Sequence, residues 1–418
     1  LTAWVSSKAA LPWLLEKEAP VKENPEFARF RQQFQGGGVD RDLFNTALNE
    51  AIQQRWESLS LGLNRYMNHP YQRQSSPASL IWTRGSTQVF DYAPHSSGPI
   101  VLLIPSLVNR AYILDLSPRR SLIDHLKKEG LRPWLVDWQS PGEEESSFYV
   151  ADYVAQRLLP ILELAYEAQK SPVSVVGYCM GGVMSIALAH LSEKRQPKLI
   201  KSLVLLGTPW DFHSPLGTEA TRFLKENFKG QETWQQTVPL QDFISQWEKP
   251  WKEMLDFQSF VFSSESIQLY FHQLISPSSA LQKFYILGEM SPSSEKIEDF
   301  IAVEEWVNDG VPLAAPSGWE CFYGWGVENR LARHLWYMDG EPVLLKNIQT
   351  PALAFIAQQD RIVPPSSSQP LIDLMPHCKG LFIDVGHVGM IVGKKAPKEV
   401  WEPLTQWIYE EKPQASTS

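Results

Sequence analysis

The stretch from Val173 to Ala189 constrains the fold of this chain more than any other. Val173-Ser174-Val175-Val176 reads as a buried strand, Gly177-Tyr178-Cys179-Met180-Gly181 as a tight turn, and the run from Gly182 to Ala189 as a helix of small residues. A strand that reverses so sharply into a helix brings the flanking backbones into contact, so glycine is required before and after the central residue. Cys179, at that centre, then stands in a strained backbone with its sulfur above the sheet. The helix N-terminus beside it supplies free N–H groups and the positive end of a dipole, which stabilise a thiolate and any oxyanion formed from a bound acyl group. The plainer alternative is a buried structural cysteine in a strand-to-helix turn.

From Thr87 onward short apolar runs alternate with helical ones. Strands are expected near Val89–Tyr92, Ile100–Ile104, Pro133–Asp137, Val173–Val176 and Leu203–Leu206, and helices at Ser121–Glu129, Val150–Glu167 and Gly182–His190. Such alternation predicts an α/β fold, a mostly parallel sheet with helices on both faces. The pattern stops after Thr208-Pro209. It resumes with a strand at Pro351–Ala357, a helix near Ser367–Leu374, a strand at Gly380–Ile383 and a helix around Glu399–Tyr409. The stretch between is irregular and aromatic, carrying Trp210, Trp234, Trp247, Trp251, Phe260, Tyr270, Phe271, Trp306, Trp319 and Trp325. An insertion there lies over the carboxyl ends of the strands, where sites form, and reads as a cap or lid. Upstream, Asp40 reads as an N-cap, with Leu43, Ala47, Ala51 and Leu59 at helical spacing behind it. The expected division is a helical N-terminal region over 1–84, a core formed by 85–208 and 351–418, and a large helical cap over 209–350.

A net charge of −9 without a basic stripe argues against nucleic acid or an anionic membrane as partner. Cys179, Cys321 and Cys378 lack metal-ligand spacing, so no metal is expected, and an odd cysteine count suits a reducing cytosol. Lys8, Pro12, Glu16 and Lys17 interrupt the first apolar positions, and no later run approaches about 18 apolar residues, so neither a signal peptide nor a membrane span is expected. Tryptophan is abundant, at 16 residues, which fits an apolar binding surface or interface as well as packing inside the insertion.

A thiol nucleophile needs a base, and in this kind of architecture the chain order is nucleophile, acid, histidine. His387 lies just past the last expected strand, in Gly386-His387-Val388-Gly389, and Asp360 directly follows the strand before it. Both fall on the rim that carries Cys179, which a triad requires. Asp384 is the rival acid, but it is too near His387 along the chain to reach the ring from the opposite side. The pair His377 and Cys378 is expected on an exposed connection. One oxyanion donor is the Met180 N–H; the other is the N–H of Ser106 or Leu107, in the loop after Ile100–Ile104. Asn109 and Tyr178 are the substrate-binding candidates, with Asn109 equally suited to bracing its own loop.

A thiol in place of the usual serine also has a chemical reason. Transfer from a thioester to Cys179 is a near-neutral exchange, and the acyl group keeps enough activation to pass downhill to a hydroxyl. At this point the residues resemble a known family. Leu107-Val108-Asn109-Arg110-Ala111-Tyr112-Ile113-Leu114-Asp115-Leu116, Trp134-Leu135-Val136-Asp137-Trp138 and Val176-Gly177-Tyr178-Cys179-Met180-Gly181-Gly182 look like the catalytic domain of polyhydroxyalkanoate synthases, of the α/β-hydrolase superfamily. Glu328-Asn329-Arg330-Leu331, Asp339-Gly340-Glu341-Pro342-Val343, Asp360-Arg361-Ile362-Val363-Pro364 and Gly386-His387 follow in the family's order. The resemblance implies an α/β-hydrolase fold and an acyltransferase that polymerises (R)-3-hydroxyacyl-CoA, with coenzyme A thioester as substrate and no cofactor. In those terms Cys179 carries the chain, His387 deprotonates it, and Asp360 assists the histidine or activates the incoming hydroxyl. The implied partners are the growing polyester and a granule surface in the cytoplasm, with a homodimer left open. The chain departs from the family at Arg361, at Gly389-Met390 and in the loosely matching Tyr323-Gly324-Trp325-Gly326. The alternatives are a hydrolase of the same fold, either an intracellular polyester depolymerase or an acyl-CoA thioesterase, and a non-catalytic granule or partner-binding subunit.

Overall fold

Five consecutive aliphatic residues, Ile100–Ile104, have no polar face to turn to water, and the chain buries all of them inside a sheet. The computed structural model describes residues 29, 32–33, 36–37, 40–214, 255–256, 261–265, 267–268, 277–292 and 294–410. Eight strands make the main sheet: β1 (Ser79–Arg84), β2 (Thr87–Asp91), β3 (Ile100–Ile104), β4 (Arg132–Asp137), β5 (Val173–Tyr178), β6 (Ile200–Leu206), β7 (Ala352–Ala357) and β8 (Cys378–Ile383). The helices used below are α1 (Arg41–Asn68), α2 (Leu122–Lys128), α3 (Leu159–Gln169), α4 (Met180–Glu193), α5 (Pro277–Glu289), α6 (Glu295–Asn308), α7 (Pro365–Leu374) and α8 (Glu402–Glu410).

The strand order is β1-β2-β4-β3-β5-β6-β7-β8. The β1-β2 and β2-β4 pairs are antiparallel and the remaining five parallel, so every strand but β2 has its carboxyl end along one edge. At every position β3, β5 and β7 are buried, as strands covered on both faces must be. The α/β fold expected from the alternating pattern is the fold observed. Among the described residues no helix is long and apolar enough to cross a membrane.

Contacts divide the chain into two compact units, Leu1–Tyr71 with Pro277–Ile301, and Gln72–Ser276 with Ala302–Ser418. In the first unit, Asp40 caps α1 by accepting from the N–H groups of Asp42 and Leu43, at 2.9 and 3.1 Å. Helix α5 crosses α1 where Gly62 and Gly288 face backbone: a Cβ on Gly62 would overlap the Phe284 carbonyl, and one on Gly288 the Ser58 carbonyl. Arg65 then reaches the exposed end of α5, its Nη1 donating to the carbonyls of Leu287, Gly288 and Met290 at 2.8, 3.1 and 2.6 Å. The last carbonyls of a helix lack intrahelical partners, and a cation there also meets the negative end of the dipole.

Three expectations change. Residues Ser79–Arg84, placed in the helical N-terminal region, form β1, joined to β2 by a two-residue Gly85-Ser86 turn with Gly85 at φ 55°. The apolar stripe of α1 is offset: Leu43, Ala47 and Ala51 are exposed, while Phe44, Leu48 and Ile52 are half-buried on the side that leads to Gly62. The helix expected over Val150–Glu167 is interrupted by a π turn at Val154–Leu158. Pro160 has no N–H for the Gln156 carbonyl, and the Arg157 guanidinium donates to that carbonyl instead, at 3.3 Å. Of the insertion's aromatic residues, Trp234, Trp247, Trp251, Phe260, Tyr270 and Phe271 lie outside the described residues. Those that are described are mostly packing residues: Trp210, Trp306, Trp325 and Trp336 are buried, and Trp319 is exposed, stacked on Tyr323.

The glycine crossing makes a direct prediction. Gly62→Ala should force α1 and α5 apart and destabilise the first unit by about 1–3 kcal/mol. Faster amide exchange confined to α1 and α5 would report it; unchanged exchange there would refute the close crossing.

Candidate active site

The turn after β5 has the expected strained form. Cys179 sits at φ 56°, ψ −123°, a conformation that side-chain-bearing residues seldom adopt, and serves as N-cap of α4. Neighbouring backbone holds it there: the Cys179 N–H donates to Leu206 O at 2.8 Å, and the Cys179 carbonyl accepts from the Gly182 N–H at 2.9 Å. A Cβ on Gly181 would overlap the carbonyls of Ile104 and Pro105, and one on Gly177 would lie 2.5 Å from the Gly182 Cα.

Asp360 and His387 come from the turns after β7 and β8. The Asp360 Oδ2 accepts from His387 Nδ1 at 2.6 Å, and its Oδ1 accepts from the N–H groups of Ile362 and Val363 at 2.9 and 2.8 Å. Both carboxylate oxygens are thus committed, one to the ring and one to its own loop. Cys179 is close enough to act on the charge of the imidazole. Cys179, Asp360 and His387 are each less than a tenth exposed. Burial by itself would push the His387 imidazole down, but Asp360 and then Cys179 act against it and hold the ring well above its ordinary value. Asp384, the rival acid, is exposed and bonded to Gln359 and Lys395 at 3.1 Å. Burial pushes the Cys378 thiol up to about 12, and Cys321 is raised as well, again by burial. His377 is exposed.

The loop after β3 is braced from two sides, by the Gly181 approach and by the Trp138 indole, which donates to the Pro105 carbonyl at 3.2 Å. The N–H groups of Met180, Ser106 and Leu107 have no acceptor among the described residues. All three residues are buried. Asn109 is half-buried, its backbone bridged to Gly310. Tyr178 is only 2% exposed, and its ring stacks on that of His387 at 5.2 Å and 29°. Among the described residues no group of three or more His, Cys, Asp and Glu could hold a metal ion.

Sequence reading missed the residues that fix this loop from the far side. Asp309 accepts from Arg110 Nε and from the Tyr112 hydroxyl, both at 3.1 Å, and the Trp306 indole donates to the Arg110 carbonyl at 2.8 Å. Asp115, 1% exposed, accepts from the Ser76 N–H and from the hydroxyls of Ser76 and Ser121. Asn329 ties Asp211 and Phe212 by two further bonds. An isolated Asp or Asn carries no signal in sequence until its partners are known.

Residues 99–394 match the family model described as alpha/beta hydrolase fold, and the chain belongs to that family. Its curated relatives narrow the class. The "Poly(3-hydroxyalkanoate) polymerase subunit PhaC" of Haloferax mediterranei is 26% identical over 74% of this chain, and that of Allochromatium vinosum 26% identical over 80%. The same-named protein of Synechocystis sp. is 25% identical over 80%. The chain is a member of this polyhydroxyalkanoate synthase family. The aligned region spans 58% of the Haloferax protein, 89% of the Allochromatium protein and 85% of the Synechocystis protein. Among solved structures, the esterase EaEST from Exiguobacterium antarcticum aligns with 80% of this chain and 100% of its own, at 14% identity and a TM-score of 0.42.

The His387–Asp360 pair sets a pH dependence of stability. The folded imidazole is raised above the unfolded value near 6.5, so the stabilisation is full below about pH 6.5 and disappears as pH rises through the folded value. Asp360→Asn should therefore cost more stability at pH 5.5 than at pH 10. Thermal unfolding of both proteins at the two pH values checks the sign, and an equal or reversed difference would contradict it.

Proposed function

We propose that the chain is an acyltransferase that polymerises (R)-3-hydroxyacyl-CoA into polyhydroxyalkanoate and releases coenzyme A through an acyl group held on Cys179. The observation that carries this reading is a thiol at the strained elbow beside the His387–Asp360 pair. The curated relatives, named as polymerases, support the same reaction class.

In this mechanism the Cys179 sulfur attacks the thioester carbonyl as its proton passes to the free nitrogen of His387. The oxyanion that forms lies against the N–H groups of Met180 and of Ser106 or Leu107. Its collapse expels coenzyme A, which leaves with the proton from His387. The hydroxyl of a second hydroxyacyl-CoA then gives its proton to His387 and attacks the acyl group, forming an oxyester and returning the thiol. The lengthened thioester repeats the cycle. Asp360 orients the imidazole, since its Oδ2 meets Nδ1 at 2.6 Å while its Oδ1 is held by its own loop. Asn109, half-buried at the rim, is assigned to substrate. The insertion over 209–350 is assigned to exclude water, so that a hydroxyl rather than water reaches the acyl-enzyme. The product separates as an apolar phase, and the expected place of action is the cytoplasm at a polyester granule.

The test is to incubate purified protein with 3-hydroxybutyryl-CoA and compare released coenzyme A with insoluble polyester and free acid. Polyester matching the released thiol is expected; free acid alone would turn the assignment to a thioesterase or depolymerase. Cys179→Ala should abolish release with the fold intact, and His387→Gln should lower it at least about a hundredfold. Asp360→Asn should slow acylation and chain growth alike in single-turnover labelling. Near wild-type release from Cys179→Ala would end the assignment.

A further inference from the structure

One edge of the His387 ring is occupied at Nδ1 by Asp360, and Cys179 is the other assigned group beside it. These are also the titratable groups whose charges act on the imidazole. Its face is covered by a third group, one that the sequence alone offers as a substrate contact. Tyr178 lies against it with ring centroids 5.2 Å apart and planes 29° from parallel, within the range of offset stacking. The phenol is buried, and its hydroxyl points to the His387 carbonyl at 3.5 Å. Because Tyr178 immediately precedes Cys179, the same backbone that fixes the turn at Cys179 also lays the aromatic ring on His387. At 2% exposure Tyr178 offers almost no surface to a substrate.

We propose that Tyr178 is a positioning residue whose ring face fixes the plane of the His387 imidazole and favours its charged form during acyl transfer. An aromatic face attracts a cation lying within about 6 Å of its centre, and the attraction strengthens when water is excluded. The consequence for catalysis rests on the acyltransferase reading. The effect on the ring itself does not.

The test follows the His387 imidazole by NMR titration in the full chain, with His387→Gln identifying its signal. Tyr178→Leu should lower the proton affinity of the ring about tenfold, and Tyr178→Phe should keep it within about twofold. Since Tyr178→Leu removes buried volume, the deciding series replaces Tyr178 with phenylalanines bearing one, two or three ring fluorines, which keep the shape and weaken the face. A stepwise fall in proton affinity with fluorine number is expected, together with slower iodoacetamide reaction of Cys179 at pH 7. An unchanged titration across that series would overturn the proposal, because a packing role alone is indifferent to ring charge. Coenzyme A release by the wild type is measured alongside. Its absence would sink the acyltransferase reading alone, since the titration uses no substrate.

Discussion

The turn at Cys179 is the constraint on which the rest of the rim depends. A non-glycine residue at φ 56° costs on the order of 1–3 kcal/mol and persists only where its surroundings leave no alternative. Here β5 is buried at every position between β3 and β6, and α4 is buried over nearly its whole length. The chain can relax neither the strand nor the helix without opening the core. The sulfur is therefore held where the strand ends, and the groups meant to meet it must be brought to that point by other strands. The parallel arrangement does this, since β7 and β8 deliver Asp360 and His387 to the edge at which β5 delivers Cys179.

Strands fix where loops begin, but not the angstrom-scale placement of the groups they carry. That placement comes from polar cross-links. Trp138 holds the Pro105 carbonyl, and Trp306 holds the Arg110 carbonyl. Asp309 gathers Arg110 and Tyr112, and Asp115 gathers Ser76 and Ser121. Each bond is modest in net energy, about 1 kcal/mol, yet leaving a buried donor or carboxylate oxygen unpaired costs more. Their collective effect is to hold the loop after β3 in one conformation beside the turn at Cys179.

The legible parts of this architecture are those written in local pattern. Glycines around Cys179 announce a close approach, and the approach is there, against Ile104, Pro105 and Gly182. Asp360 was separable from Asp384 by reach alone, and the Asp360 carboxylate is the one against His387. The helix of the first unit was legible from Asp40, but its buried face was not. That face is set by where α5 crosses at Gly62 and Gly288, a partner more than 200 residues away in sequence. Strand β1 escaped because Ser79–Arg84 mixes polar and apolar residues, as an edge strand does; the Gly85-Ser86 turn was its one local signal. The bonds made by Asp309, Trp306 and Asn329 could not be read, because their partners are distant carbonyls and side chains.

The charges of the site are placed where burial ought to oppose them. A carboxylate, an imidazole and a thiol, each less than a tenth exposed, form a series in which ionisation is disfavoured unless hydrogen bonds replace the lost water. Asp360 has three such bonds, two of them from its own turn, so its place in the site is a fixed part of the fold. The charge on His387 is conditional by comparison. Part of what raises its imidazole is Cys179, after Asp360. In the proposed acyl transfer, an acyl group on that sulfur takes away one of the influences that favour the charged ring, while Asp360 keeps its place at Nδ1. The base proposed for the second half of the reaction then holds its proton less tightly than the base of the first half. That is the sense required if coenzyme A is to leave with a proton from the ring.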